Sequence, residues 1–139
     1  MEYRKCGNDY VIRLEKDEEI TEQLTKFCQT EQIKLGTVQG LGAAKSVEIG
    51  LFNTETKEYI TTVFNGMYEI TSLLGNISQK DNNVYLHNHI NFSDMESKVY
   101  GGHMVKCVIS ATCEIIIHKI DGEVNRKFNE EIGLNLFEF

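Results

Sequence analysis

The stretch Tyr85–Phe92, YLHNHINF, is the clearest indication of how this chain folds, because its residues alternate in character with the two-residue period of a β-strand. One side of such a strand carries the apolar residues and one amide, namely Val84, Leu86, Asn88, Ile90 and Phe92. The other side carries Tyr85, His87, His89 and Asn91. The alternation therefore predicts a strand with one face toward a core and two histidines on the opposite face.

The strand pattern recurs through the rest of the chain from about residue 34 onward. Segments rich in β-branched and aromatic residues are EYITTVFN (58–65), MYEITSLLGNIS (67–78) and CEIIIHKI (113–120), and GLNLFEF (133–139) closes the chain as a further strand. Turn sequences lie at residues 53–57, at Asn65-Gly66, at 79–83 and at Asp121-Gly122. These alternating segments and turns predict a mostly antiparallel sheet.

One helix is predicted near the N-terminus. Asp17 is placed to cap it, and Glu18 and Glu19 suit the positive end of the helix dipole. An apolar stripe with helical spacing follows at Ile20, Leu24, Phe27 and Cys28. The helix should end before Gly36. The predicted fold class is therefore α+β, a mostly antiparallel sheet with one main N-terminal helix in a single domain spanning residues 1–139.

Length and composition are ordinary for a globular protein. The 139 residues favour one domain, and 41% of them are hydrophobic and 25% charged. No apolar run approaches the ~20 residues of a membrane helix, and the N-terminus has no apolar signal segment, so we predict no membrane partner and a cytoplasmic location. The four cysteines are irregularly spaced and form no C-x-x-C pair, so we expect them to serve as small buried hydrophobes.

The charge balance bears on nucleic-acid binding. The net charge is −7, and basic residues are not clustered anywhere along the chain. Proteins bind the phosphate backbone by neutralising it with Lys and Arg. The composition therefore predicts that DNA is bound only weakly or indirectly.

The two histidines on one face of the YLHNHINF strand have the spacing of a chelating pair. Residues i and i+2 of a strand lie roughly 6.5–7 Å apart, which allows His87 and His89 to converge on one ion. His103 is the candidate third ligand, because Gly101 and Gly102 before it would let the backbone turn tightly. Three imidazoles suit zinc or another late first-row divalent metal. The alternative is a polar sheet face with an unrelated loop histidine.

Two carboxylates are candidates for an acid or base near this site. Glu69 stands within an apolar strand, where a salt bridge or a subunit contact also accounts for it. Asp94 follows the histidine strand closely and could reach the same site, although capping a loop explains it equally well. His118 lies on the face of Glu114 and Ile116, and we expect a hydrogen-bonded or exposed imidazole there, not a ligand.

A cupin is the competing metalloprotein for these motifs. His87-x-His89, followed by Asp94 and Gly101, resembles the first metal motif of cupins, with aspartate in place of their usual glutamate. The second cupin motif contains a proline and a later histidine. This chain has no proline, and His103 follows too soon.

Six segments follow one another in a characteristic order, namely VIRLEKDEEI, VQGLGAAKSVEIGLFN, YEITSLLGNIS, YLHNHINF, YGGHM and CEIIIHKI. Together they resemble the PPC domain, the plants and prokaryotes conserved domain. The similarity covers essentially the whole chain, and the order and spacing of the segments are more specific than any one of them.

The resemblance implies an antiparallel-sheet domain assembled as a homotrimer. It also implies that His87, His89 and His103, in the L-H-x-H and G-G-H motifs, form the metal site of prokaryotic members. Further motif positions, to which the resemblance assigns a structural or pocket-lining role, are matched by Arg13, Gly40, Gly42, Glu69, Gly75 and Asn76.

The family takes its DNA-binding description from plant members in which AT-hooks precede the domain. Without proline, this chain has no AT-hook. Two functions therefore stay open. One is a homotrimeric regulatory protein that assembles with itself or other proteins and has at most an indirect DNA role. The other is a metal-dependent enzyme or small-molecule-binding protein that acts at the three histidines.

Overall fold

Eight strands and one helix make up the fold in a computed structural model that describes residues 1–139. The elements in chain order are β1 (Glu2–Cys6), β2 (Asp9–Glu15), α1 (Ile20–Thr30), β3 (Gly36–Asn53), β4 (Glu58–Lys80), β5 (Asn83–Ser93), β6 (Val99–Lys119), β7 (Asn125–Asn129) and β8 (Leu134–Glu138). The expected sheet-rich chain with one N-terminal helix is confirmed. No helix reaches the length and apolar character needed to cross a membrane.

The strands form one sheet that curls back on itself. Its order is β1-β2-β6-β3-β4-β7-β8, and β5 pairs with both β4 and β6. Because β3 also pairs with both β4 and β6, strands β3 to β6 close a ring. Every pairing is antiparallel except a single parallel contact of β7 with β4, at Gln79 and Asn125. Ring closure brings β5 beside the start of β6, which is where the histidines lie.

A core of buried apolar side chains fills the inner face of the sheet, and α1 covers it. The predicted helix stripe is confirmed, since Ile20, Leu24, Phe27 and Cys28 are the buried residues of α1. The ring of Phe27 meets the ring of Tyr10 edge to face at 5.2 Å. Cys107 and Cys113 are buried free thiols like Cys28, whereas Cys6 is exposed. The expectation for the cysteines therefore holds for three of the four.

The helix begins two residues later than predicted and is shorter. Its N-cap is Glu19, whose carboxylate accepts hydrogen bonds from the backbone N–H groups of Thr21 and Glu22. The same carboxylate accepts from the N–H of Cys107 on β6, which fastens the helix start to the sheet. Asp17 instead adopts a positive φ of 72° and pairs with Lys45, so the predicted cap was wrong.

Asn65-Gly66 is not a turn, contrary to prediction. β4 runs without interruption from Glu58 to Lys80, because β3 pairs with it on both sides of this dipeptide. The register shifts between Ala44 and Ser46, where the one intervening residue of β3 lies opposite Gly66 and Met67 of β4. The Asn65-Gly66 dipeptide therefore marks an irregularity within a long strand and not a reversal of the chain. At Asp81 and Asn82, where both φ angles are positive, the predicted reversal into β5 is present.

Candidate metal centre

Three histidines meet on the face of the sheet opposite the core. His87 and His89 lie on β5, and His103 on β6 pairs directly with His89. One ring nitrogen from each histidine lies within 4.8 Å of those from the other two. The ring centroids are 5.2 to 5.5 Å apart. The strand alternation expected from the sequence is confirmed, because Ile90 and Phe92 are buried on the other face.

His103 sits on a strand and not in the loop that its two preceding glycines had suggested. Gly101 and Gly102 belong to β6 and pair with Asn91 and Ile90. A Cβ atom at Gly101 would lie 2.0 Å from the Oδ1 atom of Asn91, whose side chain crosses that position. Gly101 therefore permits close cross-strand packing, and the pairing register places His103 opposite His89.

A second close approach fixes β5 against β4 between the two ligand histidines. Gly75 pairs with Asn88, which is 2% exposed and points into the core. A Cβ atom at Gly75 would lie 1.8 Å from Asn88 Oδ1 and 2.7 Å from the carbonyl oxygen of His87. Only glycine leaves room for β5 at this distance, so the predicted structural role of Gly75 has a physical basis next to the site.

The site favours neutral imidazoles. Burial, together with the neighbouring His87 and His89, lowers the pKa of His103 to about 4. The pKa of His87 is also lowered, first by burial and then by the charge of Arg126. A metal ion binds the neutral imidazole, so both side chains are in the binding form at neutral pH.

The donor set fits a metal ion. Around tetrahedral zinc at about 2.0–2.1 Å, ligand nitrogens lie about 3.3 Å apart, so small side-chain rotations would close the cluster on one ion. No carboxylate lines the surrounding cleft, and nothing there would hold the imidazoles as cations. The three histidines can therefore hold a metal, with one or more coordination positions left for another ligand.

The histidines line a cleft of about 700 Å³. Its walls are largely apolar and include Leu51 and Phe52 from β3 and Leu134 and Leu136 from the C-terminal hairpin of β7 and β8. Tyr59 packs edge to face against the ring of His103 at 5.8 Å. A ligand at an open metal position would thus lie against apolar and aromatic surface.

The two candidate carboxylates lie elsewhere. Glu69 is exposed on β4 and does not line the cleft. Asp94 accepts hydrogen bonds from the backbone N–H groups of Glu96 and Lys98 and from the hydroxyl of Tyr100. It therefore has the loop-capping contacts that were the alternative to an acid–base role.

The remaining sequence candidates have contacts of a structural kind. His118 is hydrogen-bonded to Asp9 at 2.7 Å, is about half exposed and lies outside the cluster, as expected. Arg13 forms exposed ion pairs with Glu2 and Glu15. Two glycines of β3 pack closely on β6, and a Cβ atom would lie 3.0 Å from a backbone carbonyl oxygen at Gly40 and 2.5 Å from one at Gly42. Asn76 accepts a hydrogen bond from Arg126.

Arg126, on β7, is a cleft residue that the sequence analysis missed. It is 9% exposed and lines the same cleft as the histidines. Burial lowers the pKa of its guanidinium. A single arginine in the polar segment NRKFN carries no sequence signal of burial. Its position results from the contact of β7 with β4 and from the hairpin that folds over it.

The comparisons with known proteins agree with this architecture. Residues 1–121 match the Plants and Prokaryotes Conserved (PCC) domain family. The chain therefore belongs to the PCC domain family, the family that its motifs resembled. No curated protein sequence matches the chain.

Three solved structures are similar over nearly the full length of both chains. A protein from Bacteroides thetaiotaomicron, described as a "putative dna binding protein", is 31% identical, with a TM-score of 0.97 over 99% of this chain and 96% of its own. A metal-containing protein from Archaeoglobus fulgidus is 30% identical, with a TM-score of 0.90 over 99% and 97%. A plant- and prokaryote-conserved protein from Pyrococcus horikoshii is 31% identical, with a TM-score of 0.88 over 99% and 95%.

Proposed function

We propose that this protein binds zinc or another late first-row divalent metal through His87, His89 and His103, and that a small molecule occupies the open side of that metal. The observation that carries the proposal is the meeting of three imidazole nitrogens within 4.8 Å at the wall of a cleft. The metal content of the Archaeoglobus fulgidus relative supports it. Three protein ligands with a free position are the arrangement of zinc sites that bind water or substrate.

A zinc ion held there would supply a Lewis acid. The protein's own contribution is to hold the ligand nitrogens on two strands joined by backbone hydrogen bonds, and to surround the open side with apolar wall. An apolar wall excludes water and strengthens electrostatic contacts within the cleft. These properties suit the binding of a small organic molecule.

Metal analysis of two variants tests the proposal. We expect His89→Ala to lose most of its metal, because two remaining imidazoles form a weaker chelate than three. His118→Ala is the matched control, since His118 lies on the same face of the sheet but outside the cluster, and it should retain the metal. Equal retention by both variants, or a wild-type protein that holds no metal after purification without chelator, would refute the proposal.

We also propose that the protein assembles as a homotrimer. In one row across the sheet, Val11 pairs with Ile116, Ile116 with Gln39, and Gln39 with Leu74. Side chains in such a row share one face, and Val11, Ile116 and Leu74 are each 48% to 56% exposed. No helix covers this face, so a second copy of the chain is the partner that we propose for it. Other proteins are alternative partners for the same surface.

Direct DNA binding is not part of this proposal, despite the description of the Bacteroides relative. The net charge is −7, and seven of the fourteen Lys and Arg side chains lie within 4.0 Å of a carboxylate. Basic groups paired in this way are poorly placed to neutralise phosphate. Any association with DNA would be weak or would pass through another protein.

A further inference from the structure

Arg126 is a buried cation with no anionic partner. Its guanidinium donates hydrogen bonds to Ser78 Oγ (2.8 Å), to the carbonyl oxygen of Asn135 (2.9 Å) and to Asn76 Oδ1 (2.8 Å), all of which are neutral acceptors. It does not form an ion pair with any carboxylate in the chain. Almost all buried charges in proteins are paired, so this arginine is unusual.

The guanidinium is held firmly in place. It packs against two aromatic rings, with Cζ 4.8 Å from the ring centre of Tyr85 and 4.2 Å from that of Phe137. Of its five N–H groups, three have protein acceptors, which leaves one on each terminal nitrogen. A planar guanidinium with two free N–H groups and a fixed orientation is well suited to bind a carboxylate.

Arg126 lies beside the strand that carries His87 and His89. The two β4 side chains that anchor it, Asn76 and Ser78, pair across the sheet with His87 and Tyr85. Arg126 and the three histidines line one cleft. The cleft that they share has no acidic residue in its lining, so the guanidinium and a metal at the histidines would both attract an anion.

We propose that Arg126 is the anion-binding residue of the cleft and that its ligand is a small organic carboxylate with an apolar body. The inference rests on the proposed function in one respect, because the ligand would also contact the metal proposed at the three histidines. A carboxylate has two oxygens that can accept hydrogen bonds from the two free N–H groups of Arg126. The rest of the ligand should be apolar, because the side chains of Leu51, Phe52 and Leu136 in the cleft wall form no hydrogen bonds.

Isothermal titration with isobutyrate, and with isobutyramide as its uncharged isostere, tests this assignment on the whole protein. Each compound is titrated into zinc-loaded protein and into protein treated with chelator, with the zinc content measured separately. We expect isobutyrate to bind about tenfold or more tightly than isobutyramide, because a hydrogen bond to a charged group is lost with the amide. Arg126→Gln should lower isobutyrate affinity by a similar factor and leave isobutyramide affinity nearly unchanged.

The variants separate anion binding from structural support. Arg126 also fastens the β7–β8 hairpin to β4, so Arg126→Gln could lose stability, and its melting temperature is measured alongside. If it does not fold, the comparison of isobutyrate with isobutyramide on chelator-treated wild-type protein decides, because no metal then contributes to anion binding. Lys127→Gln, a neighbouring exposed cation, is the control and should bind isobutyrate as the wild type does.

Each outcome has a definite meaning. Equal affinity for isobutyrate and isobutyramide, equal isobutyrate affinity in Arg126→Gln and wild type, or no binding of isobutyrate by zinc-loaded protein would overturn the inference. Isobutyrate that binds to the metal-free wild type and not to Arg126→Gln, in a protein that never holds metal, would support the inference while refuting the proposed metal function. Inorganic phosphate that binds more tightly than isobutyrate would refute the carboxylate class.

Discussion

Replacing Gly75 by alanine should destabilise the fold and the site together. The new Cβ atom would lie 1.8 Å from Asn88 Oδ1 and 2.7 Å from the backbone oxygen of His87, both well inside van der Waals contact. Inserting one methyl into a packed interior costs about 1–3 kcal/mol. Because one of the two clashes is with backbone, we expect the upper end, about 3 kcal/mol, and a melting temperature lower by about 10 °C.

The clash with the side chain can be measured separately from the clash with backbone. Asn88 Oδ1 is buried and accepts no hydrogen bond, so Asn88→Ala removes the first clash without breaking a hydrogen bond at that atom. In a double-mutant cycle, Gly75→Ala combined with Asn88→Ala should be more stable than the sum of the single changes by about 1–2 kcal/mol. The loss of stability that remains in the double variant measures the clash of the new Cβ atom with the carbonyl oxygen of His87.

The assay is thermal unfolding followed by circular dichroism, with zinc affinity measured on the same samples. β5 should move away from β4 between the two ligand histidines, so we expect Gly75→Ala to bind zinc about tenfold more weakly. Gly102→Ala is the matched control beside the site, because its nearest new contact is 3.3 Å. A Gly75→Ala protein whose melting temperature lies within about 2 °C of the wild-type value would refute the packing argument. A double variant no more stable than expected from additivity would show that Asn88 is not the obstacle.

Four further results are expected. Zinc should be released on acidification, and the metal-free protein should also lose stability as the pH falls. The pKa of His103 is about 4 when folded and about 6.5 when unfolded, so the unfolded chain binds more protons between these values. The loss should be no more than about 1–2 kcal/mol, since the side chain of His103 is only partly buried, and urea titrations at pH 7 and pH 4.5 measure it. Sedimentation equilibrium should give a trimer at micromolar concentration, and a monomer would refute the assembly proposal. In a gel-shift assay at physiological salt we expect no tight, sequence-selective DNA complex, because the charge of −7 on each chain repels phosphate.

Local periodicity was sufficient to predict much of this protein. The two-residue alternation of YLHNHINF placed His87 and His89 together on the face away from the core, and the 3.6-residue stripe located the buried side of α1. Both patterns depend on residues close in the chain, whose side-chain directions follow from backbone geometry alone. The predicted turn at Asn65-Gly66 was wrong for the complementary reason. Its local turn preference is weaker than the cross-strand hydrogen bonds that β3 makes on both sides.

The composition of the cleft depended on contacts between residues distant in the chain. His103 reaches His89 because ring closure pairs β5 with the beginning of β6, and no local pattern encodes that register. Arg126 is separated from Ser78 by 48 residues and is buried only because β7 meets β4 and the hairpin folds over it. Short-range sequence thus specified which faces of the elements are apolar or carry histidine. The pairing of strands specified which of those faces meet, because register is set by the summed packing and hydrogen bonding of whole strands.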